Sequence, residues 1–220
     1  MSVKLSTSKK ASQYVNCVIY GNSGIGKTPC AATAPKPVFI DTDGGLLSVS
    51  DLDIPSIRVK SIDDMIDAFR IVSGKKGKKF KTVIIDDLTE LIEMEVVRLE
   101  DTTSDVWEVY KKTGKFGKKL IRKFKKLDMN IIFICKLHEA KDEGLMLRRP
   151  SLPGNILPEY LPYAVDEFFA LRIDDKGKKF LQTQNTTKWY AKDRSCTLNP
   201  KEKPNMTNIF NKIKKGKKVS

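Results

Sequence analysis

The sequence predicts an α/β fold: a mostly parallel central sheet flanked by helices, with a β-hairpin extension toward the C-terminus. Three observations predict it. Residues 21–28 read Gly-Asn-Ser-Gly-Ile-Gly-Lys-Thr, the full G-x-x-x-x-G-K-T pattern of a phosphate-binding loop. Apolar runs at 14–20, 38–40, 82–85 and 131–137 alternate with stretches of helical periodicity, and strands that are apolar throughout have both faces covered. After Val165 the helical signal gives way to short β-favouring segments at 165–172, 179–184 and 187–191, read as strand and hairpin.

Taken in order, residues 1–12 are polar and basic and predict a loose arm before a domain over 13–200. The run 14–20 is β-branched and aromatic, as a buried strand requires. Gly21, Gly24 and Gly26 reach backbone angles closed to other residues, so the N–H groups of Gly21, Asn22, Ser23, Gly24, Ile25, Gly26, Lys27 and Thr28 can close around an anion. The helix that follows adds its positive dipole end, and Pro29 falls in a first turn that tolerates it. Lys27 is placed to reach the β- and γ-phosphates, and the Thr28 hydroxyl to ligate Mg²⁺. Pro35 and Pro37 end that helix.

A short strand at 38–41 runs into the acidic turn Asp41-Thr42-Asp43-Gly44-Gly45. Ser61 opens a helix whose apolar face carries Ile62, Met65, Ile66 and Phe69. A lysine-rich turn at 75–79 precedes the strand 82–85 and the carboxylates Asp86 and Asp87. A helix follows through Leu88, Leu91, Ile92, Val96 and Leu99, and a second is expected at about 116–128, with lysines and arginine around a stripe of Phe116, Leu120, Ile121, Phe124 and Leu127. The strand 130–137 leads to His138, the only histidine. Residues 139–158 read as a loop, 156–163 as a short helix, and 201–220 as a basic tail.

Composition narrows the class. The 220 residues suit one domain, with 40% hydrophobic and 31% charged residues. No run is apolar enough for a membrane span or a signal core, so an intracellular, cytoplasmic protein is expected. Four dispersed cysteines predict reduced thiols rather than a disulfide frame or a zinc site. The net charge of +14 favours a polyanionic partner, most simply nucleic acid.

Open α/β sheets bind ligands at the carboxyl ends of their strands. The loop at 21–28, Asp43, Asp86 and His138 all directly follow buried strands. Asp86 is the expected second Mg²⁺ residue, with Asp87 the N-cap of the next helix. Asp43 is placed to orient or deprotonate an attacking water, and His138 to hydrogen-bond a γ-phosphate. Lys192 and Arg194 are two cations spaced by two on an extended segment and point the same way; the residues alone favour a solvated turn, the alternative being a pair that reaches a γ-phosphate, on its own or a neighbouring subunit.

These stretches, in this order, resemble phage-encoded ATPases with a RecA-like core, the phage nucleotide-binding or single-strand-annealing ATPases. The likeness covers about residues 12–195. It implies a RecA-like P-loop fold with ATP and Mg²⁺ as cofactors, and ATP hydrolysis coupled to single-stranded DNA in phage recombination or replication. It implies Asp43 as general base and His138 as the polar sensor. Lys192 and Arg194 would then act across the interface of a homo-oligomer. DNA-binding loops are implied at about 139–155, with Lys141, Arg148 and Arg149 as contacts, in host cytoplasm and alongside a single-strand-binding protein. Two rivals remain: a nucleoside or nucleotide kinase, and a nucleotide-gated DNA-binding or loader subunit that barely hydrolyses ATP.

Overall fold

The computed structural model describes residues 13–142 and 145–216. The predicted arm at 1–12 and residues 217–220 of the predicted tail lie outside the described residues. In chain order the first half comprises β1 (Asn16–Gly21), α1 (Lys27–Ala32), β2 (Pro37–Asp41), β3 (Ser56–Arg58), α2 (Ile62–Ser73), β4 (Thr82–Asp86), α3 (Leu88–Glu100) and α4 (Val106–Phe124). The second half comprises β5 (Asn130–Asp142), β6 (Leu145–Pro150), α5 (Ile156–Ala164), β7 (Glu167–Ile173), β8 (Lys179–Gln182), β9 (Lys192–Asp193), β10 (Lys201–Glu202) and α6 (Met206–Lys215).

The predicted α/β class is what the chain adopts. The sheet runs β10-β8-β7-β1-β5-β4-β2-β3, parallel from β7 to β3 and antiparallel through β8 and β10. β1 is central, with Tyr20 beside Cys135 of β5 and Ala170 of β7. Strand alternation divides the core between the two faces. Val18, Tyr20, Val83, Ile85, Ile131 and Phe133 meet α2, α3, α4 and α5 on one face. Cys17, Ile19, Ile84, Ile132 and Ile134 meet α1 and α6 on the other. Burying each of the large side chains contributes about 1.5–3 kcal/mol, so the middle of the sheet is the rigid base of whatever sits on its rim.

Capping explains several boundaries. Ser61 accepts from Asp64 N–H at 3.1 Å to start α2, and Asp87 accepts from Glu90 N–H at 3.2 Å to start α3. α4 begins ten residues earlier than its apolar stripe suggests, because Asp105 accepts from the N–H groups of Trp107 and Glu108. Gly114 and Gly117 let α4 approach α5: a methyl on Gly117 would lie 2.6 Å from Leu157 Cδ1, and one on Gly114 would lie 2.8 Å from Ile156.

Three expectations need correction. The segment read as a loop at 139–158 begins as an antiparallel hairpin, because β5 continues to Asp142 and pairs with β6. Its register sets Glu139 opposite Arg148, and the two form an ion pair at 2.6 Å. No strand forms over 187–191: Trp189 makes only an isolated bridge to Arg148, and the short β9 follows. Residues 201–215 are not a free tail. β10 joins the sheet, and α6 buries Met206, Ile209 and Phe210 on the α1 side, its lysines facing outward. Met206 N–H donates to Thr33 Oγ1 at 2.7 Å, and Thr207 Oγ1 donates to Thr33 O at 2.6 Å. α6 thereby seats on the C-terminal end of the six-residue α1.

Candidate nucleotide site

The carboxyl ends of β1, β2 and β4 meet the middle of β5 at a cleft of about 1080 Å³, lined by residues 21–24 and 26–29 of the loop together with Asp43, Asp86, Asp87, Lys136 and Lys179, while the Ile25 side chain packs into the core. The glycines have specific work. Gly24 and Gly26 have φ of 71° and 102°, a region that disfavours side chains. Gly21 sits so close to β7 that a methyl there would lie 2.7 Å from Leu171 O.

Lys27 Nζ donates to Gly21 O and Asn22 O, both at 3.0 Å, which holds the ammonium over the loop. Burial lowers its pKa, opposed by the charges of Asp87 and Asp86. Thr28 Oγ1 donates to Asp86 Oδ2 at 2.6 Å, joining the loop to the end of β4. Burial pushes Asp86 up to about 6; the Thr28 hydrogen bond and Lys27 oppose this, and Asp41 and Asp43 add to it. Burial also takes Asp87 to about 6, with Asp86 as the repelling neighbour.

Such a paired hydroxyl and crowded carboxylate is what a hard cation at this place requires. Among the described residues no group of three His, Cys, Asp or Glu side chains converges on a common point. Mg²⁺ fits that sparse donor set, since it usually takes one or two carboxylates plus waters and substrate phosphates. Thr28 and Asp86 are the residues that would hold it.

The Asp43 turn is fastened on both sides. Asp41 accepts from Gly44 N–H at 2.7 Å and pairs with Arg58 at 3.1 Å. Thr42 Oγ1 bonds to the Asp87 main chain, and Thr42 N–H donates to Asp86 O at 2.8 Å. Asp43 itself is exposed on the cleft wall. The sequence reading passed over Thr42 and Arg58, although a threonine between two turn aspartates is a ready clamp for a neighbouring strand end.

The structure therefore brings together Gly21–Thr28, Asp43 and Asp86, and leaves other predicted residues elsewhere. His138 does not line the cleft. In β5 it lies opposite Arg149 of β6 and is exposed on a separate hollow with Tyr110 and Pro150. Lys136, midway along β5, takes the position beside Gly21 and pairs with Glu90 at 2.7 Å and Glu93 at 3.1 Å. Burial disfavours its charge, but those two carboxylates outweigh burial and raise its pKa.

Lys192 and Arg194 lie at the opposite end of the sheet, where β9 pairs with Glu167 and Phe168 at the start of β7. Lys192 Nζ donates to Pro162 O and Val165 O at 2.6 Å each, capping α5. Arg194 is exposed, 3.5 Å from Asp166. Of the predicted DNA contacts, Lys141 and Arg149 are exposed. Arg148 is committed to Glu139 and stacks on Trp189 at 5.1 Å, beside Arg172 at 4.6 Å from the same ring. No helix among the described residues is long and apolar enough to cross a membrane.

No curated protein matches the chain. A family model described as an AAA domain matches residues 13–195, from the residues leading into β1 to the segment after β9. That span holds the loop, Asp43 and Asp86, and members of such families are generally ATP hydrolases. With a G-x-x-x-x-G-K-T loop at the end of the central strand and a carboxylate bonded to its threonine, the chain belongs to the AAA-domain family of P-loop ATPases.

Proposed function

We propose that the protein is a Mg²⁺-dependent ATPase that couples hydrolysis to single-stranded DNA binding, in phage recombination, annealing or replication. The observation that carries the hydrolytic part is the 2.6 Å bond from Thr28 to Asp86, with Lys27 and Asp43 in the same cleft. The loop N–H groups and Lys27 hold the β- and γ-phosphates. Mg²⁺, held at Thr28 and Asp86, supplies charge neutralisation on the phosphate oxygens when bound. Asp43 orients a water and takes its proton as the water oxygen bonds to the γ-phosphorus and the bond to the β–γ bridging oxygen breaks. Lys136, tied to Glu90 and Glu93, walls the cleft beside the loop.

The DNA-binding part is supported by charge. Among the described residues, Lys75, Lys76, Lys78, Lys79 and Lys81 before β4 pair with no carboxylate. The outer face of α4 adds Lys119, Arg122 and Lys123, all exposed. Lys141 and Arg149 on the β5–β6 hairpin are the further contacts. A homo-oligomer is supported by Arg194, which is 66% exposed and too far round the sheet to serve its own cleft. The likeness to phage RecA-like ATPases points the coupling toward single strands, with a single-strand-binding protein as companion, in the host cytoplasm.

The test is steady-state ATP hydrolysis with and without single-stranded DNA, with solution mass measured in both states. DNA-stimulated turnover together with a mass increase is the expected result. Phosphate transfer to a nucleoside without DNA stimulation would establish a kinase instead, and DNA binding with no turnover would establish a nucleotide-gated loader.

A further inference from the structure

Strand alternation sends one unassigned cation into the cleft. Leu171 of β7 and Leu181 of β8 belong to the core shared with Cys30 and Ala31 of α1. Arg172 and Phe180, opposite each other in register, face the other way, and the Arg172 guanidinium lies 5.4 Å from the Phe180 ring. Lys179 stands two residues before Leu181, so it projects on the α1 side, at the rim where the loop lies.

The turn that delivers it is well tied. Asp174 Oδ1 accepts from Lys176 N–H at 3.0 Å and from Lys178 N–H at 2.8 Å. Asp174 N–H donates to Lys178 O at 3.0 Å, and Gly177 supplies the positive φ of 77°. The β7 strand is itself pressed against the loop, since Leu171 O leaves no room for a side chain at Gly21. The outcome is that a methyl on Gly26 would lie 3.0 Å from Lys179 Nζ. Lys179 lines the cleft, and among the described residues it pairs with no carboxylate.

Resting on the nucleotide reading of this cleft, we propose that Lys179 is a second phosphate-binding cation, supplied from β8 by the same subunit. Its ligand is the polyphosphate of a nucleoside triphosphate. Lys27 approaches the loop from α1 and Lys179 from the hairpin, so one ammonium stands over the Gly21 and Asn22 carbonyls and the other beside Gly26. A triphosphate seated on the loop N–H groups meets both, and a charge-assisted contact to phosphate is among the stronger polar contacts a protein makes. Lys192 and Arg194 cannot fill this role in their own cleft, because they stand at the other end of the sheet.

The test measures binding of a fluorescent ATP analogue with Mg²⁺, and turnover, in the full chain. Lys179→Gln is expected to raise the Kd about tenfold or more, whereas Lys179→Arg stays within about threefold of wild type. Lys178→Gln, at the exposed turn, leaves both quantities unchanged. Wild-type Kd and turnover in Lys179→Gln would overturn the proposal while leaving the nucleotide reading intact. A wild-type chain that binds no ATP analogue would instead remove the nucleotide reading, and this inference with it.

Discussion

Thr42 and Asp87 hold each other twice: Thr42 Oγ1 donates to Asp87 O at 2.8 Å and accepts from Asp87 N–H at 2.6 Å. The turn carrying Asp43 is thus fixed to the strand end carrying Asp86. The distance between proposed base and metal carboxylate becomes a property of the sheet, in which β2 and β4 are neighbours. Thr42→Val keeps the shape and removes both bonds, leaving the buried Asp87 N–H unpaired, while Asp87 O keeps its bond from Leu91 N–H at 3.2 Å. It is expected to cost about 1–3 kcal/mol of stability. Turnover should fall more than nucleotide affinity, as paired urea melts and single-turnover assays will show.

Lys27→Ala and Asp43→Asn should separate binding from chemistry. Lys27 sits over the loop carbonyls, and its loss should abolish detectable binding of an ATP analogue. Asp43 stands exposed on the wall, so Asn should leave the Kd within a few-fold and cut kcat by about 10²–10⁴. Unimpaired turnover in Asp43→Asn would remove it as the base.

His138→Ala should change neither quantity by more than about twofold. Its side chain is exposed on a hollow apart from the cleft. A large loss of turnover in that variant would restore the sensor role the sequence suggested.

Stability should depend on pH through Glu167. Its carboxyl accepts from the N–H groups of Arg194 at 3.2 Å and Ser195 at 3.1 Å. Burial first, and the neighbouring Asp193 next, push its pKa from 4.5 up to about 8. Between those values the folded chain keeps a proton that the unfolded chain releases, so stability falls as pH rises through that window and then levels off. Asp86 and Asp87 titrate lower, near 6. Urea midpoints should therefore drop from about pH 6.5 to about pH 8.5 in wild type, and much less in Glu167→Gln.

Gly117→Ala tests the contact between α4 and α5. Alanine favours a helix over glycine by about 1 kcal/mol, yet here its methyl would meet Leu157 Cδ1 at 2.6 Å. Overpacking costs about 1–3 kcal/mol, so a lowered thermal midpoint is expected. A raised midpoint would show that α5 shifts aside at little cost.

The sheet was legible because its middle strands are apolar on both faces, and the cleft because its residues are local to strand ends. Where the reading failed, the signal was not local. The β5–β6 hairpin is polar on its open side and depends on the Glu139–Arg148 pair and the bridge to Trp189. α6 looked like a tail because Met206, Ile209 and Phe210 are few among lysines, and Thr33, which receives it, lies 173 residues away from Met206. His138 was misplaced by two strand positions: Lys136 is the residue level with Gly21. Lys179 passed as one lysine among many until the hairpin register showed which side it faces.

The central position of β1 also sets a timetable for synthesis on the ribosome. Residues 21–28 are made before their partners, since β1 cannot be flanked until β5 and then β7 have emerged, as late as Ile173. The close approach of Leu171 O to Gly21 comes with β7 itself, and the seat of α6 on Thr33 comes later still in the chain. A nascent chain therefore carries its most motif-rich stretch without the partners that shape it until β7 is made. Loop-closure entropy is met before the contacts that reward it. A stop codon before β7 would leave the whole G-x-x-x-x-G-K-T sequence present without the strand that presses on Gly21.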